Sequence, residues 1–206
     1  MPQGDCRAEL QHVRAPKRHR LPASVSQCGV PTAVPASAPG GRETRRRRIV
    51  IPELRELLTR EGAPFEVIGH REVYTAHERA AACHVPGRRL AKVVIVRDTD
   101  GYAMTVLPAT EQLDLPELRR RSHRYDLTLA SEDELERLFP GCEIGAMPPF
   151  GRVFGLPVYL DRGFASGVEM VFESGTHREE ISMPMAEYIR VERPAIAPLA
   201  RVPLAA

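Results

Sequence analysis

Leu90-Ala91-Lys92-Val93-Val94-Ile95-Val96-Arg97-Asp98-Thr99-Asp100-Gly101-Tyr102-Ala103-Met104-Thr105-Val106-Leu107 decides how this chain folds. Two β-branched, apolar runs flank an Asp-Thr-Asp-Gly punctuation, the pattern of a strand, a tight turn and a second strand. The first run carries a lysine where a buried strand has least room for a cation. Among 29 Lys and Arg residues only Lys17 and Lys92 are lysines, and Lys17 falls in a Pro/Ala-rich leader. A compact ammonium with three rotatable donors, whose pKa moves on burial, is not a substitute for a guanidinium. Lys92 is therefore a candidate site residue, against the plainer reading of a strand-end lysine reaching out to water.

Helices and further strands spread outward from this hairpin. Ile51, Leu54, Leu57 and Leu58 have helical spacing behind Pro52, which predicts a helix over 52–61. Phe65 to Ile68 reads as a short strand. Thr75-Ala-His-Glu78 is a capping box that opens a helix through Cys83, closing before Pro86-Gly87. Asp114 caps a helix over 115–121, and Ser131-Glu-Asp-Glu134 opens another over 132–139. Strands follow near 156–160 and 168–173, the last strand lies near 178–182, and a helix over 184–191 closes the folded part. Local hairpins mixed with helices argue for an α/β chain of the mixed α+β kind around a partly antiparallel sheet.

Residues 1–48, rich in Arg, Pro and Ala, are expected to be a disordered leader. A folded domain is expected over 49–194 and a flexible tail over 195–206. The cations of the chain concentrate in the leader, so the net charge of +2 hides a folded part with more acids than bases. That balance disfavours a broad basic surface gripping nucleic acid by its phosphates. It leaves room for a site that holds one small piece of it. No apolar run reaches the length of a membrane span. Cys6, Cys28, Cys83 and Cys142 form no CxxC pair, which points away from zinc and disulfides and towards a cytoplasmic setting.

Two segments have special backbone chemistry. Gly145-Ala-Met-Pro148-Pro149-Phe150-Gly151 brackets two prolines with glycines, a stiff loop able to present N–H groups to an oxygen ligand. Ser174-Gly175-Thr176-His177 follows an apolar strand and places a histidine on a turn, where it can donate a hydrogen bond or move a proton. Each has an ordinary alternative: a proline-stiffened connection, and a surface turn. His70 and His123 read as surface residues, and His77 with His84 lacks partners at metal-ligand spacing. Cys83 reads as a small core residue, and neither it nor Cys142 has a neighbour that would activate a thiol.

The order Thr75-Ala-His-Glu78, Leu90-Ala-Lys92, Gly145-x-x-x-Pro149-Phe-Gly151, Leu156-Pro-Val-Tyr-Leu-Asp161, Ser174-Gly-Thr-His177 and Glu187-Tyr188 resembles the YbaK/prolyl-tRNA-synthetase-associated editing domain family, from about Ile51 to Pro194. The resemblance implies a compact domain with a mixed, barrel-like sheet surrounded by helices. It implies hydrolysis of the ester between a wrong amino acid and the 3′ end of tRNA, by a free-standing protein without metal or other cofactor. The acceptor end of a mischarged tRNA would be the partner, together with a synthetase in some relatives. The family's catalytic positions fall on Lys92, Gly145, Pro149 and His177. Substrate-binding positions are expected at Phe150, Gly151, Gly175 and Thr176. In the alanine-specific branch Asn follows the strand lysine, whereas Val93 stands here. Met104, Val106, Phe150 and Met170 are candidate pocket walls or, alternatively, plain core. The competing expectation is a module on the same fold that binds tRNA or a synthetase without turnover.

Overall fold

The computed structural model describes residues 50–201 of the chain. The leader expectation falls outside these residues. In chain order the elements are α1 (Pro52–Arg60), β1 (Glu66–Gly69), α2 (Ala76–Cys83), β2 (Ala91–Asp98), β3 (Gly101–Pro108), β4 (Gln112–Leu113), α3 (Leu115–Ser122), β5 (Thr128–Leu129) and α4 (Glu132–Leu138). There follow α5 (Gly151–Phe154), β6 (Val158–Asp161), α6 (Arg162–Ala165), β7 (Glu169–Glu173), β8 (Glu179–Pro184), α7 (Met185–Glu192), β9 (Ala195–Ala197) and β10 (Ala200–Arg201).

The capping chemistry read from sequence is in place. The Thr75 hydroxyl accepts from Glu78 N–H while the Glu78 carboxylate accepts from Thr75 N–H, so two orphan donors of α2 are satisfied. Asp114 accepts from Glu117 N–H at the start of α3. The central hairpin pairs β2 with β3 in full antiparallel register, from Ala91 opposite Pro108 to Asp98 opposite Gly101.

Among the described residues three sheets result. The five-stranded sheet runs β5-β2-β3-β6-β9 and is mixed, because β6 adds parallel to β3 and β9 parallel to β6. The antiparallel three-stranded sheet runs β1-β8-β7. A parallel bridge between Leu90 and Val171 stitches the entry of β2 to β7. A two-stranded ribbon joins β4 and β10. The strands do not close into a barrel. The core lies where α1, α7 and the inner faces of both large sheets meet, with Leu54, Leu58, Met104, Leu160, Met170, Ile181 and Tyr188 all without exposed surface.

The carboxyl-terminal stretch departs from expectation. From 195 the chain is not a loose tail: β9 and β10 are strands through Arg201, and β8 is not the last of them. Pro194 and Pro198 bracket β9 rather than interrupt it, and β9 lies at the sheet edge. Asp161, at the end of β6, accepts from the N–H groups of Leu199 (2.9 Å) and Ala200 (3.1 Å), and Leu199 is buried. The pocket-wall candidates Met104, Val106 and Met170 are core residues. No helix among the described residues is long and apolar enough to cross a membrane.

Candidate functional site

Gly145, Thr176 and His177 come together at one end of the β1-β8-β7 sheet. The turn between β7 and β8 carries Thr176 and His177, and the loop before α5 carries Gly145. Gly145 has φ +91°, and a Cβ there would meet His177 Cε1 at 3.4 Å, so the imidazole lies directly against the glycine. The His177 main-chain N–H donates to Glu143 Oε2 (2.8 Å), and Nε2 is 2.9 Å from the carbonyl oxygen of Ile144. Nδ1 is 2.8 Å from Glu173 Oε1. His177 is 9 % exposed. Tyr74, 65 % exposed, covers its outer side with ring centroids 4.8 Å apart. The Tyr74 hydroxyl donates to Glu72, which also pairs with Arg178. Thr176 Oγ1 is buried beside His177 without a hydrogen-bond partner.

Behind the histidine lies a buried ionic network that periodicity in the sequence did not announce. Glu173 Oε2 is 3.2 Å from Arg79 Nη1, and Arg79 makes a two-pronged pair with Glu180 (Nε to Oε1 2.6 Å, Nη2 to Oε2 2.9 Å). Burial opposes the Arg79 charge, but Glu180 and Glu173 outweigh it and raise the guanidinium pKa. Burial pushes the Glu173 carboxyl up to about 7 against the pull of Arg79, with Glu180 adding to the rise and the His177 bond opposing it. Two carboxylates facing one guanidinium leave an unmatched negative charge, which favours a bound proton. The only sequence signal was a Glu closing the apolar run Met170-Val-Phe-Glu173, four residues before a histidine.

His70 belongs to the same region and is not a surface residue. Its side chain is 4 % exposed, Nδ1 meets the Arg71 carbonyl, and Nε2 is 3.9 Å from Glu180 Oε1 with no hydrogen bond. His70, Cys83 and Glu180 place one ligand atom each within 4.8 Å of one another, a donor set that suits zinc. Both Glu180 oxygens already accept from Arg79, so a guanidinium fills the position a metal cation would take. Burial pushes the thiols of Cys83 and Cys142 up to about 11, which suits packing rather than nucleophilic attack.

The remaining sequence candidates have partners of their own. Lys92 sits on β2 with its side chain opposite to Ala91, Val93 and Ile95, which face the core. Its ammonium donates to the Glu111 carbonyl, and half-burial lowers its pKa, with the charge of Glu111 opposing the shift. Pro149 is buried, and its carbonyl accepts from the Tyr188 hydroxyl at 2.8 Å. Phe150 is fully buried, edge-on to Tyr188 at 5.2 Å and tilted against Phe172 at 5.5 Å. A Cβ on Gly151 would come within 2.2 Å of the Leu156 carbonyl oxygen, so glycine is required there by packing. Gly175, at φ +113°, is packed against Ile51 in the same way. The loop does not present a row of free N–H groups: Phe150 N–H is turned to Pro148 O, and Arg152 N–H donates to Glu192.

Comparison with known proteins agrees with this architecture. The aminoacyl-tRNA editing domain matches residues 70–191. The chain belongs to that family. Among solved structures, a hypothetical protein, APE2540, superposes with a TM-score of 0.66 at 19 % identity, covering 72 % of this chain and 99 % of its own. A protein described as "a putative trans-editing enzyme for prolyl tRNA synthetase" gives a TM-score of 0.65 at 24 % identity, covering 72 % and 95 %. A "putative signal transduction protein" from Marinobacter aquaeolei VT8 gives 0.58 at 20 % identity, with 72 % of this chain matching 30 % of that one. At these identities the likeness is one of fold. No curated protein sequence matches the chain.

Proposed function

We propose that this protein is a trans-editing hydrolase that cleaves the ester of a mischarged aminoacyl-tRNA carrying a small amino acid, such as alanine on the tRNA for proline. The observation that carries the reading is the packing of His177 and Gly145 against each other at an exposed loop edge, inside a chain of the editing family.

An aminoacyl ester is already reactive, so positioning and stabilisation of the oxyanion suffice. Water oxygen bonds to the ester carbonyl carbon, the bond to the ribose oxygen breaks, and the water proton passes to that ribose oxygen. A neighbouring ribose hydroxyl assists the transfer. His177 and the unpartnered Thr176 hydroxyl hydrogen-bond the substrate. Lys92 supplies a cation to a terminal phosphate or to the ester. The exposed face of Tyr74 offers a surface on which a terminal base can stack. Discrimination rests on pocket size, at about 1–3 kcal/mol per methylene.

The test is deacylation of a panel of mischarged tRNAs, starting with alanyl-tRNA for proline, by wild type and Lys92→Ala. Turnover that falls on the order of 100-fold in a folded Lys92→Ala variant is the expected result. Tight tRNA binding by wild type with no turnover on any member of the panel overturns the reading and leaves a binding module.

A further inference from the structure

We propose that Glu173, backed by Arg79, is a positioning residue that makes His177 a fixed hydrogen-bond donor at Nε2 and denies it the role of general base. The consequence for rate rests on the deacylase reading above; the protonation itself does not.

The argument starts from what each ring nitrogen faces. Nε2 faces the Ile144 carbonyl oxygen at 2.9 Å, and a carbonyl only accepts, so Nε2 carries a proton. Nδ1 faces Glu173 Oε1 at 2.8 Å, and two acceptors do not approach so closely without a proton between them. Histidine and carboxylate together therefore hold two protons: one on Nε2 and one shared. Losing the shared proton leaves lone pairs facing each other at one end of the ring or the other, whichever tautomer is adopted. Gly145 and Tyr74 pack against the ring and restrict how far it can turn away from this conflict.

The carboxylate is equally restrained. Its second oxygen is held by Arg79, whose Nε and Nη2 donate to Glu180 and whose Nη1 also donates to the Ala91 carbonyl. The titratable and charged groups around the dyad are Arg79 and Cys83 from α2, Glu180 from β8, His70 after β1, Glu143 in the Gly145 loop, and Tyr74 with Glu72 and Arg178 on the outer side. Arg79 favours the ionised carboxylate. Burial and Glu180 favour the retained proton, and they prevail. A His177 with no free lone pair cannot accept a proton from water. It can donate from Nε2 to an ester oxygen once substrate displaces the Ile144 carbonyl.

The experiment is ¹⁵N NMR of the histidine side chains between pH 6 and 9, in wild type and Glu173→Gln, with enzyme-dependent deacylation measured over the same range after subtraction of spontaneous hydrolysis. In wild type Nε2 is expected to read as protonated through neutral pH. The wild-type rate is expected to fall about tenfold per pH unit above the point at which the shared proton leaves. In Glu173→Gln the amide donates to Nδ1, which reads as unprotonated, Nε2 stays protonated, and the alkaline fall disappears. A wild-type spectrum with unprotonated Nε2 at neutral pH overturns the proposal, as do superimposable pH profiles for the two proteins. The wild-type spectrum alone decides the protonation if the variant does not fold. If wild type hydrolyses no ester, the deacylase reading fails, and the spectra still decide the role of Glu173.

Discussion

Gly145→Ala should damage activity far more than stability. At φ +91° an L residue costs about 1–2 kcal/mol. The loss of backbone freedom in the unfolded chain returns about 0.4–1 kcal/mol. The added Cβ would lie 3.4 Å from His177 Cε1, an ordinary contact, so no overpacking is added. The net loss is about 1 kcal/mol. Yet relief of the φ strain reorients the peptide that presents the Ile144 carbonyl to His177 Nε2, and misplacing one donor costs on the order of 100-fold in rate. Gly175→Ala is the control with the opposite balance. At φ +113° it bears similar strain, and its Cβ would come 2.7 Å from Ile51 Cγ2, so overpacking of about 1–3 kcal/mol is added. Urea unfolding of both variants, with deacylation assayed where both are folded, separates the two effects. A Gly145→Ala protein that keeps wild-type kcat/KM, or one destabilised as much as Gly175→Ala, refutes the reasoning.

Two further predictions concern the elements under the site. Tyr188→Phe keeps the ring against Phe150 but leaves the buried Pro149 carbonyl without its donor, so urea unfolding should show a loss of about 1–3 kcal/mol. Burial raises the Glu192 carboxyl to about 8, against its bonds to the Arg152 and Gly151 N–H groups and the charge of Arg152. A folded-state pKa above the ordinary value near 4.5 means that the folded protein holds the proton more tightly than the unfolded chain. Its contribution is therefore full below pH 4.5 and lost as the pH rises towards 8. Melting temperature should fall over that window in wild type, and less steeply in Glu192→Gln.

The site was legible in part. Lys92 stood out by rarity and His177 by its place on a turn, and the glycines by their spacing. The structure seats His177 and Gly145 together, ties the Lys92 ammonium to the Glu111 carbonyl, and gives Phe150 and Gly151 packing positions. Arg79, Glu173 and Glu180 are not legible in the sequence, because a charged residue within an apolar pattern reads as a solvated edge unless its partner is known. The partner of Arg79 is 101 residues away.

The sequence by itself determined the local elements: the β2–β3 hairpin from its two apolar, β-branched runs and the turn between them, α2 from its capping box, α3 from Asp114, and the mixed α/β class from their order. These depend on interactions within a few residues, whose geometry the backbone fixes. Only the tertiary structure decided that the stretch after Pro194 becomes strands, that the His70 side chain is buried, and that three ionic side chains form a network behind His177. Pairing of β9 with β6, and of Arg79 with Glu180, brings together residues far apart in the chain. Their energy comes from burial and from removal of competing water, and neither is written in any single segment.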